Sequence, residues 1–429
     1  MEKYIETTRE LLNFIDNSPS PFHAVNNLRQ MALEAGFVEL REEDAWQLAP
    51  GRSYFVIRND SSIAAFRIPK SFHKEKESAF HIVAAHSDSP TFKLKENPEI
   101  KVEEQYVKLN TEKYGGMIMS TWFDRPLSVA GRIVLKENGK IVSRLVNVER
   151  DICVIPSLAI HMNRDANKGT EFNAQTDMLP LFSQGKEAEE FFGVIAKEAG
   201  VGKSEILAQD LFLYVREKGK IFGSGNEFML SSRLDDLQCA FAAMYAITTS
   251  EPAEYIDLCV IFDNEEVGSG TRQGADSTFL RDVLERLKEA FALTENKLRQ
   301  MIACGLLISA DNAHAVHPNH PEKADPTNRP YINGGIVLKY HGSQKYTTDA
   351  YTAAALKELC REAGVPVQTY ANRSDIPGGS TLGNISTAHV SIPSVDIGLP
   401  QLAMHSAVET GGTRDTDYAI RLFQQFYQN

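Results

Sequence analysis

Five short segments of this 429-residue chain carry the side chains best able to do chemistry. His86-Ser87-Asp88-Ser89-Pro90 ends the apolar run His81 to Ala85, and Asp263-Asn264-Glu265-Glu266 ends the run Ile256 to Phe262. Asp311 and His314 follow Gly305 to Ser309, and Met404-His405 follows Val395 to Gly398. Asp235-Asp236 opens a helical pattern after Ser231-Ser232-Arg233-Leu234. A single histidine after a strand is ordinarily a loop cap, and adjacent acids are ordinarily a solvated turn. Recurrence at several strand ends changes that reading, because ligands in open α/β sheets collect beyond the carboxyl ends of the strands. Acids gathered there would repel one another without compensation. Zinc accepts imidazole nitrogen and carboxylate oxygen, and one carboxylate can bridge two ions roughly 3.5–4 Å apart. The Asp235/Asp236 pair offers such a bridge, although acids in a first helical turn also stabilise the helix dipole. The residues alone leave the choice between the two open.

These segments need a scaffold, and the apolar pattern supplies one. Helical spacing over 4–15 is broken by Ser18-Pro19-Ser20-Pro21, after which a second helix runs to about Ala35. Tyr54 to Ile57, Ile63 to Phe66 and His81 to Ala85 read as strands. Between about Thr91 and Ser232 the texture differs: Val102 to Leu109, Arg132 to Leu135 and Ile141 to Val146 read as strands, with Glu137-Asn138-Gly139-Lys140 as a hairpin turn. Helix and strand then alternate through Leu234 to Ile247, Ile256 to Phe262, Gly305 to Ser309, Ile336 to Leu338, Ala350 to Ala363 and Val395 to Gly398. The expectation is an α/β fold, a mainly parallel sheet flanked by helices and interrupted by a β-rich insert. The boundaries are 1–90 and 233–429 for the catalytic unit and 91–232 for the insert.

Composition narrows the partners. Forty-five Lys plus Arg against fifty-seven Asp plus Glu gives −12, which disfavours nucleic acid and anionic membrane. The five cysteines, Cys153, Cys239, Cys259, Cys304 and Cys360, are widely spaced and read as reduced thiols of a cytoplasmic protein. Met1 to Glu6 mixes charges where a signal peptide would need an apolar stretch, and the longest apolar run, Met301 to Ala310, is too short to span a membrane. No Walker loop, G-x-G-x-x-G between strand and helix, or G-x-S-x-G elbow is present.

Taken in order, His86-Ser87-Asp88-Ser89-Pro90, Arg233-Leu234-Asp235, Asp263 to Ser269, Ser309 to Asn319 and Pro400 to Ser406 resemble the aspartyl aminopeptidases, which are cytosolic dinuclear zinc exopeptidases. The resemblance runs through nearly the whole chain. It implies two Zn2+ per subunit, with Mn2+ or Co2+ as substitutes: His86 and Asp311 on one ion, Glu266 and His405 on the other, and Asp235 as the bridge. Asp236 stands where the family often has Asn. Glu265 then matches the general base acting on a hydroxide bridging the ions, and Asp88 the acid that fixes the His86 tautomer. Lys339 matches the reader of an acidic side chain, and Gly378-Gly379-Ser380-Thr381 the substrate-lining loop. His161 matches a histidine given to a neighbouring subunit, where it polarises the scissile carbonyl. His314 and His317 read as packing or support rather than ligands.

The resemblance therefore implies an aminopeptidase that removes N-terminal Asp or Glu from peptides with a free N-terminus. It also implies a homo-dodecamer built from dimers, with the insert at the dimer contact. The alternatives are another dinuclear zinc exopeptidase or deacylase of broader specificity, and a catalytically silent scaffold, which would leave Glu265 without a reason to be present.

Overall fold

The structure is a computed structural model that describes residues 2–75, 78–185, 189–251, 254–379 and 381–429. Among these residues nine strands form the central sheet, in the order Val38–Leu40, Ser53–Arg58, Ser62–Arg67, Ile256–Phe262, Phe80–His86, Leu306–Ala310, Ser394–Gly398, Ile336–Tyr340 and Val367–Ala371. The four in the middle, 256–262, 80–86, 306–310 and 394–398, are mutually parallel. Antiparallel pairings join 53–58 to 62–67, 62–67 to 256–262, and 394–398 to 336–340. The parallel block matters most, because it brings the carboxyl ends that carry His86, Asp263 and Asp311 to one edge.

Strands buried on both faces must be apolar on both, and every residue of Ile256–Phe262 is buried. Its Asp257 is paired at 2.8 Å with the buried Arg67 of the neighbouring strand. Alternation sorts the side chains into two layers: Val83 and Ala85 face one core with Leu11, Ile15, Phe241 and Phe423, whereas Ile82 and Ala84 face another with Phe262, Phe279 and Leu287. Helices Lys3–Asp16, Pro21–Glu34, Leu234–Thr249 and Asp415–Gln428 cover the first face, and Phe279–Ala290 and Glu295–Ala303 the second. Pro21 sits in the first turn of its helix and the Ser20 hydroxyl accepts the His23 N–H, which explains the break after residue 17.

The insert forms a six-stranded antiparallel sheet in the order Lys140–Asn147, Leu127–Glu137, Ala208–Val215, Thr91–Val102, Tyr106–Tyr114 and Leu181–Gln184. It has its own core, with Phe92, Val129, Ile133, Leu211 and Phe191 at its centre. The hairpin turn falls at Asn138 and Gly139, both with positive φ (49° and 80°), and Glu137 pairs with Lys140. One expectation is corrected: Val102 to Leu109 is not a single strand, since Glu103 and Glu104 take left-handed conformations and turn Thr91–Val102 back into Tyr106–Tyr114. Charged and β-branched residues run through this stretch without a glycine or proline to mark the turn. A third sheet joins Lys220–Phe222 and Phe228–Ser231 to Glu409–Gly412, Pro400–Leu402 and Ala313–His314. Residues 220–231 therefore pair with strands from the C-terminal part of the chain.

Gly131 faces Leu211 across the insert sheet, and a Cβ there would lie 2.0 Å from the Asp210 carbonyl oxygen. Gly131→Ala is expected to force the two strands apart and destabilise the protein by about 1–3 kcal/mol. A urea titration with an unchanged midpoint would refute this.

Candidate metal centre

The site is assembled from chain segments that leave regular structure abruptly. Arg233 has φ 57° at the start of the helix, and a cis peptide joins Asp235 to Asp236, both with non-helical dihedrals. Asn264 (φ 60°) opens the tight turn Glu265–Val267 after the strand 256–262, and His405 (φ 66°) follows Ala403 in the same left-handed region. The left-handed φ values of Arg233, Asn264, Ala403 and His405 cost of order 1–3 kcal/mol each for non-glycine residues and persist only where the surroundings hold them.

Here the surroundings are hydrogen bonds to buried carboxylates. Glu409 is fully buried: its Oε2 accepts the Asp235 N–H at 3.1 Å, and its Oε1 accepts the His405 N–H at 2.8 Å and the Gln401 amide at 3.1 Å. Asp88, also fully buried, accepts the backbone N–H groups of Glu265 and Glu266 at 3.1 and 3.2 Å and the Tyr114 hydroxyl at 2.8 Å. Its Oδ1 lies 3.3 Å from His86 Nδ1. Asp236 accepts the His86 N–H at 3.2 Å.

These braces bring the predicted ligand atoms together. His86 Nε2 lies 3.6 Å from Asp235 Oδ1 and 4.0 Å from Asp311 Oδ1. His405 Nε2 lies 3.4 Å from Asp235 Oδ2 and 3.5 Å from Glu266 Oε2. Two triads result, His86–Asp235–Asp311 and Asp235–Glu266–His405, each with its donor atoms within 4.8 Å of one another. Asp235 belongs to both, one oxygen toward each. Asp236 points elsewhere, toward the backbone of His86. A third grouping, His86–Glu265–Glu266, brings Glu265 to the same place.

The charge balance of this cluster fits a cation. Burial raises Glu265 to about 8 and Asp311 to about 6, with the neighbouring acids adding to the effect. Burial opposes protonation of His405, yet hydrogen bonding to Asp235 and the charge of Glu266 raise it to about 10. Burial likewise works against the Asp235 carboxylate, and the two imidazoles overcome it to hold Asp235 well below the usual range. The acids thus draw positive charge onto whatever sits among them. Asp235 Oδ1 and Glu266 Oε1 are buried with no hydrogen-bond partner, which a metal ion would satisfy. Imidazole and carboxylate donors suit zinc and also manganese or cobalt.

A cleft of about 320 Å³ opens over these atoms and is lined by Lys339, Tyr346, Tyr370, Gly379 and Met404 besides the ligand set. Lys339 is buried; its Nζ donates to the Asn312 carbonyl at 2.8 Å and lies 3.8 Å from Asp311 Oδ2. His314 lines the cleft, but it is in neither triad. Gly378 lies behind the cleft, where a Cβ would stand 2.1 Å from the Asn372 amide nitrogen. Ser380 lies outside the described residues. His161 and His317 are exposed and do not line the cleft. His161 sits among the exposed Leu158, Ile160 and Met162.

Sequence reasoning overlooked Glu409, Tyr114 and Asn312. Glu409 stands four residues beyond His405, and nothing distinguishes it there from a surface acid. Tyr114 comes from the insert, so no local pattern connects it to Asp88. Asn312, next to Asp311, donates its amide to Leu234 O, Gln238 Oε1 and Gln401 Oε1, pinning the helix start to the third sheet.

Residues 14–427 match the family model described as aminopeptidase I zinc metalloprotease (M18). Curated relatives include the probable M18 family aminopeptidase 2 of Clostridium acetobutylicum, 47% identical with all of both chains covered. That of Pseudomonas aeruginosa is 40% identical, with 98% of each chain covered. Among solved structures, the cryo-EM structure of the Ape4 and Nbr1 complex contains a chain 36% identical with TM-score 0.95, covering 100% of this chain and 87% of that one. The S. cerevisiae mApe1 dodecamer is 29% identical with TM-score 0.86, covering 99% and 97%.

Asp88 links His86 to the Glu265–Glu266 turn, so Asp88→Asn is expected to lower metal affinity about 10–100-fold, the usual cost of losing a residue that orients a ligand. Calorimetric titration of metal into chelated protein measures this. Unchanged affinity would reduce Asp88 to a packing residue.

Proposed function

We propose, for a chain that belongs to the aminopeptidase I zinc metalloprotease (M18) family, that of the aspartyl aminopeptidases, that it removes N-terminal Asp or Glu from peptides at a centre of two zinc ions. Family membership makes it a metallo-aminopeptidase, a hydrolase of peptide bonds. The observation that carries the two-ion reading is the pair of donor triads sharing Asp235. In this reading His86 and Asp311 hold one ion, Glu266 and His405 the other, and Asp235 serves both. Bound there, the ions would acidify water and polarise the scissile carbonyl.

The remaining steps belong to the chain's own residues. Glu265 lies beside both triads, and as general base it takes a proton from the attacking water and passes it to the leaving amine. Burial and the neighbouring acids raise its proton affinity in the metal-free cluster, and bound cations would lower it again, which keeps the carboxylate available as a base. Asp88 orients His86 and holds the turn that separates the roles of Glu265 and Glu266. Burial disfavours the Lys339 charge, but Asp311 more than restores it and its pKa is raised. An ammonium has three protons, and Lys339 gives one to Asn312 O, leaving donors for a substrate carboxylate. Gly379 lets the peptide backbone approach, and Gly378 leaves room for the Asn372 side chain behind it.

The same reading extends to assembly. The solved mApe1 relative is a dodecamer, and a homo-dodecamer built from dimers is proposed here, with the insert, residues 91–232, as the dimerisation domain beside a catalytic domain of 1–90 and 233–429. The exposed segment around Leu158, Ile160 and Met162 supports such a contact, through which His161 would enter a neighbouring subunit's cleft. Among the described residues no helix is long and apolar enough to cross a membrane, and the cysteines are all unpaired. A cytoplasmic location is part of the same proposal.

Glu265→Gln is expected to lower kcat about 10²–10⁴-fold with metal content unchanged; parallel loss of metal, measured by atomic emission, would remove the base assignment. Lys339→Met is expected to cost Asp- and Glu-terminal peptides about 10–100-fold more in kcat/KM than Ala-terminal ones, the value of a hydrogen bond to a charged group. An unaltered ratio would refute acidic selectivity through Lys339.

A further inference from the structure

A second cavity, of about 290 Å³, adjoins the metal cleft, and the two share His314, Tyr370 and Gly379 as wall residues. Their common wall is low at Gly379, where a Cβ would meet nothing within 4 Å. It is firm beside it, where the Tyr370 hydroxyl donates to Asn372 Oδ1 at 2.6 Å and Gly378 packs on the Asn372 amide. Ala315, Pro330, Ala371, Ile376 and Pro377 supply an apolar lining, and Ile376 is an exposed large hydrophobic residue.

The charged groups of this chamber are committed to one another. Arg373 pairs with Asp375 through two bonds of 2.9 and 2.7 Å and also donates to the Glu322 carbonyl. His320 Nδ1 lies 3.3 Å from Glu322 Oε1, and His317 Nδ1 accepts the Asn319 N–H at 3.2 Å. Asp325 Oδ1 is occupied by the N–H groups of Thr327 and Asn328 at 3.0 and 2.8 Å. Lys323 stands in the fields of Glu322 and Asp375. Arg373 and Lys323 against Glu322, Asp325 and Asp375 leave one negative charge, which the backbone N–H groups on Asp325 take up, so the apolar walls are what the chamber offers an incoming side chain.

We infer that this chamber is a downstream subsite that takes an apolar or aromatic side chain from the leaving part of the peptide. The inference rests on the aminopeptidase reading. A peptide whose amino end is held at the triads continues in one direction only, and its acidic first side chain is accounted for beside Lys339 within the cleft. The adjoining space is then filled by the second or third residue, passing over Gly379.

The test uses the metal-loaded enzyme and amidated tetrapeptides: Asp-Gly-Gly-Gly, the same peptide with Phe at the second or third position, and the same peptide with Glu at those positions. Phe at one of the two positions should raise kcat/KM about 10-fold or more over Gly, in line with the discrimination a hydrophobic pocket gives. Filling the chamber with Ala324→Trp, at another of its wall residues, or charging its rim with Ile376→Asp, should bring the Phe-to-Gly ratio toward one. Equal rates for all peptides, a preference for Glu, or a ratio unmoved in both variants would overturn the subsite. Hydrolysis without discrimination overturns this inference alone. No hydrolysis of any of these Asp-terminal peptides overturns the proposed Asp or Glu selectivity of the cleft and the subsite argued from it.

Discussion

Carboxylates crowded into a water-poor space repel one another and resist ionisation unless positive charge joins them, and much of this molecule is arranged around that constraint. Asp235, Glu265, Glu266 and Asp311 meet at the rim of the parallel block with two imidazoles between them. Burial raises most of these acids, yet Asp235 is held low because both histidines face it. Its central position gives Asp235 a role that Asp236, one peptide away and turned to the His86 backbone, does not share. A divalent ion in each triad would supply two positive charges in place of the single one of a protonated histidine, and would leave the imidazoles free to act as ligands.

Holding such a cluster takes support from every part of the chain. The central strands deliver His86, Glu265, Glu266 and Asp311 from one edge, but they do not fix the side chains. That falls to the insert and the third sheet. Tyr114 from the insert bonds Asp88 and accepts from the Asn264 amide at 2.7 Å, steadying the His86 side. Gly116 from the same segment accepts from His405 Nδ1 at 3.0 Å, steadying the other side. Glu409 on the third sheet then ties the backbone of Asp235 to that of His405. The insert is thus a working part of the site in a single chain, apart from any contact it makes between subunits.

The division between what was legible in the sequence and what was not follows from the range of the interactions. Strand 256–262 and helix 350–363 are spelled by local periodicity, and both run where the pattern places them. The candidate ligands His86, Glu266, Asp311 and His405 are legible for a related reason, since each follows a strand and position in the chain then predicts position in space, whereas Asp235 opens a helix and the residues alone did not separate it from Asp236. The turn at residues 103–105 was missed because its left-handed residues are glutamates, where the usual signal is glycine or asparagine. Tyr114 and Glu409 were missed because they act on partners 26 and 174 residues away, Asp88 and the Asp235 backbone, and an isolated Tyr or Glu carries no mark of such a partner. Lys339 looked like an ordinary strand lysine from its neighbours alone, and its burial against Asp311 is a property of the fold.

The net charge of −12 bears on substrate choice in a way the total conceals. A uniformly acidic surface would repel a peptide that begins with Asp or Glu, and proximity to four site carboxylates would repel it further. In the proposed reading Lys339 is the local counter-charge: the ammonium is buried beside Asp311, where low dielectric strengthens its field at short range and solvent screens it little. The surrounding acids that make the cleft hostile to a carboxylate are also those that keep this lysine charged. In the proposed reading, metal ions offset the acids while Lys339 remains, so the cleft changes from repelling to accepting an acidic residue only once it is loaded. Selectivity and metal binding then depend on the same carboxylate, Asp311, which faces His86 through one oxygen and Lys339 through the other.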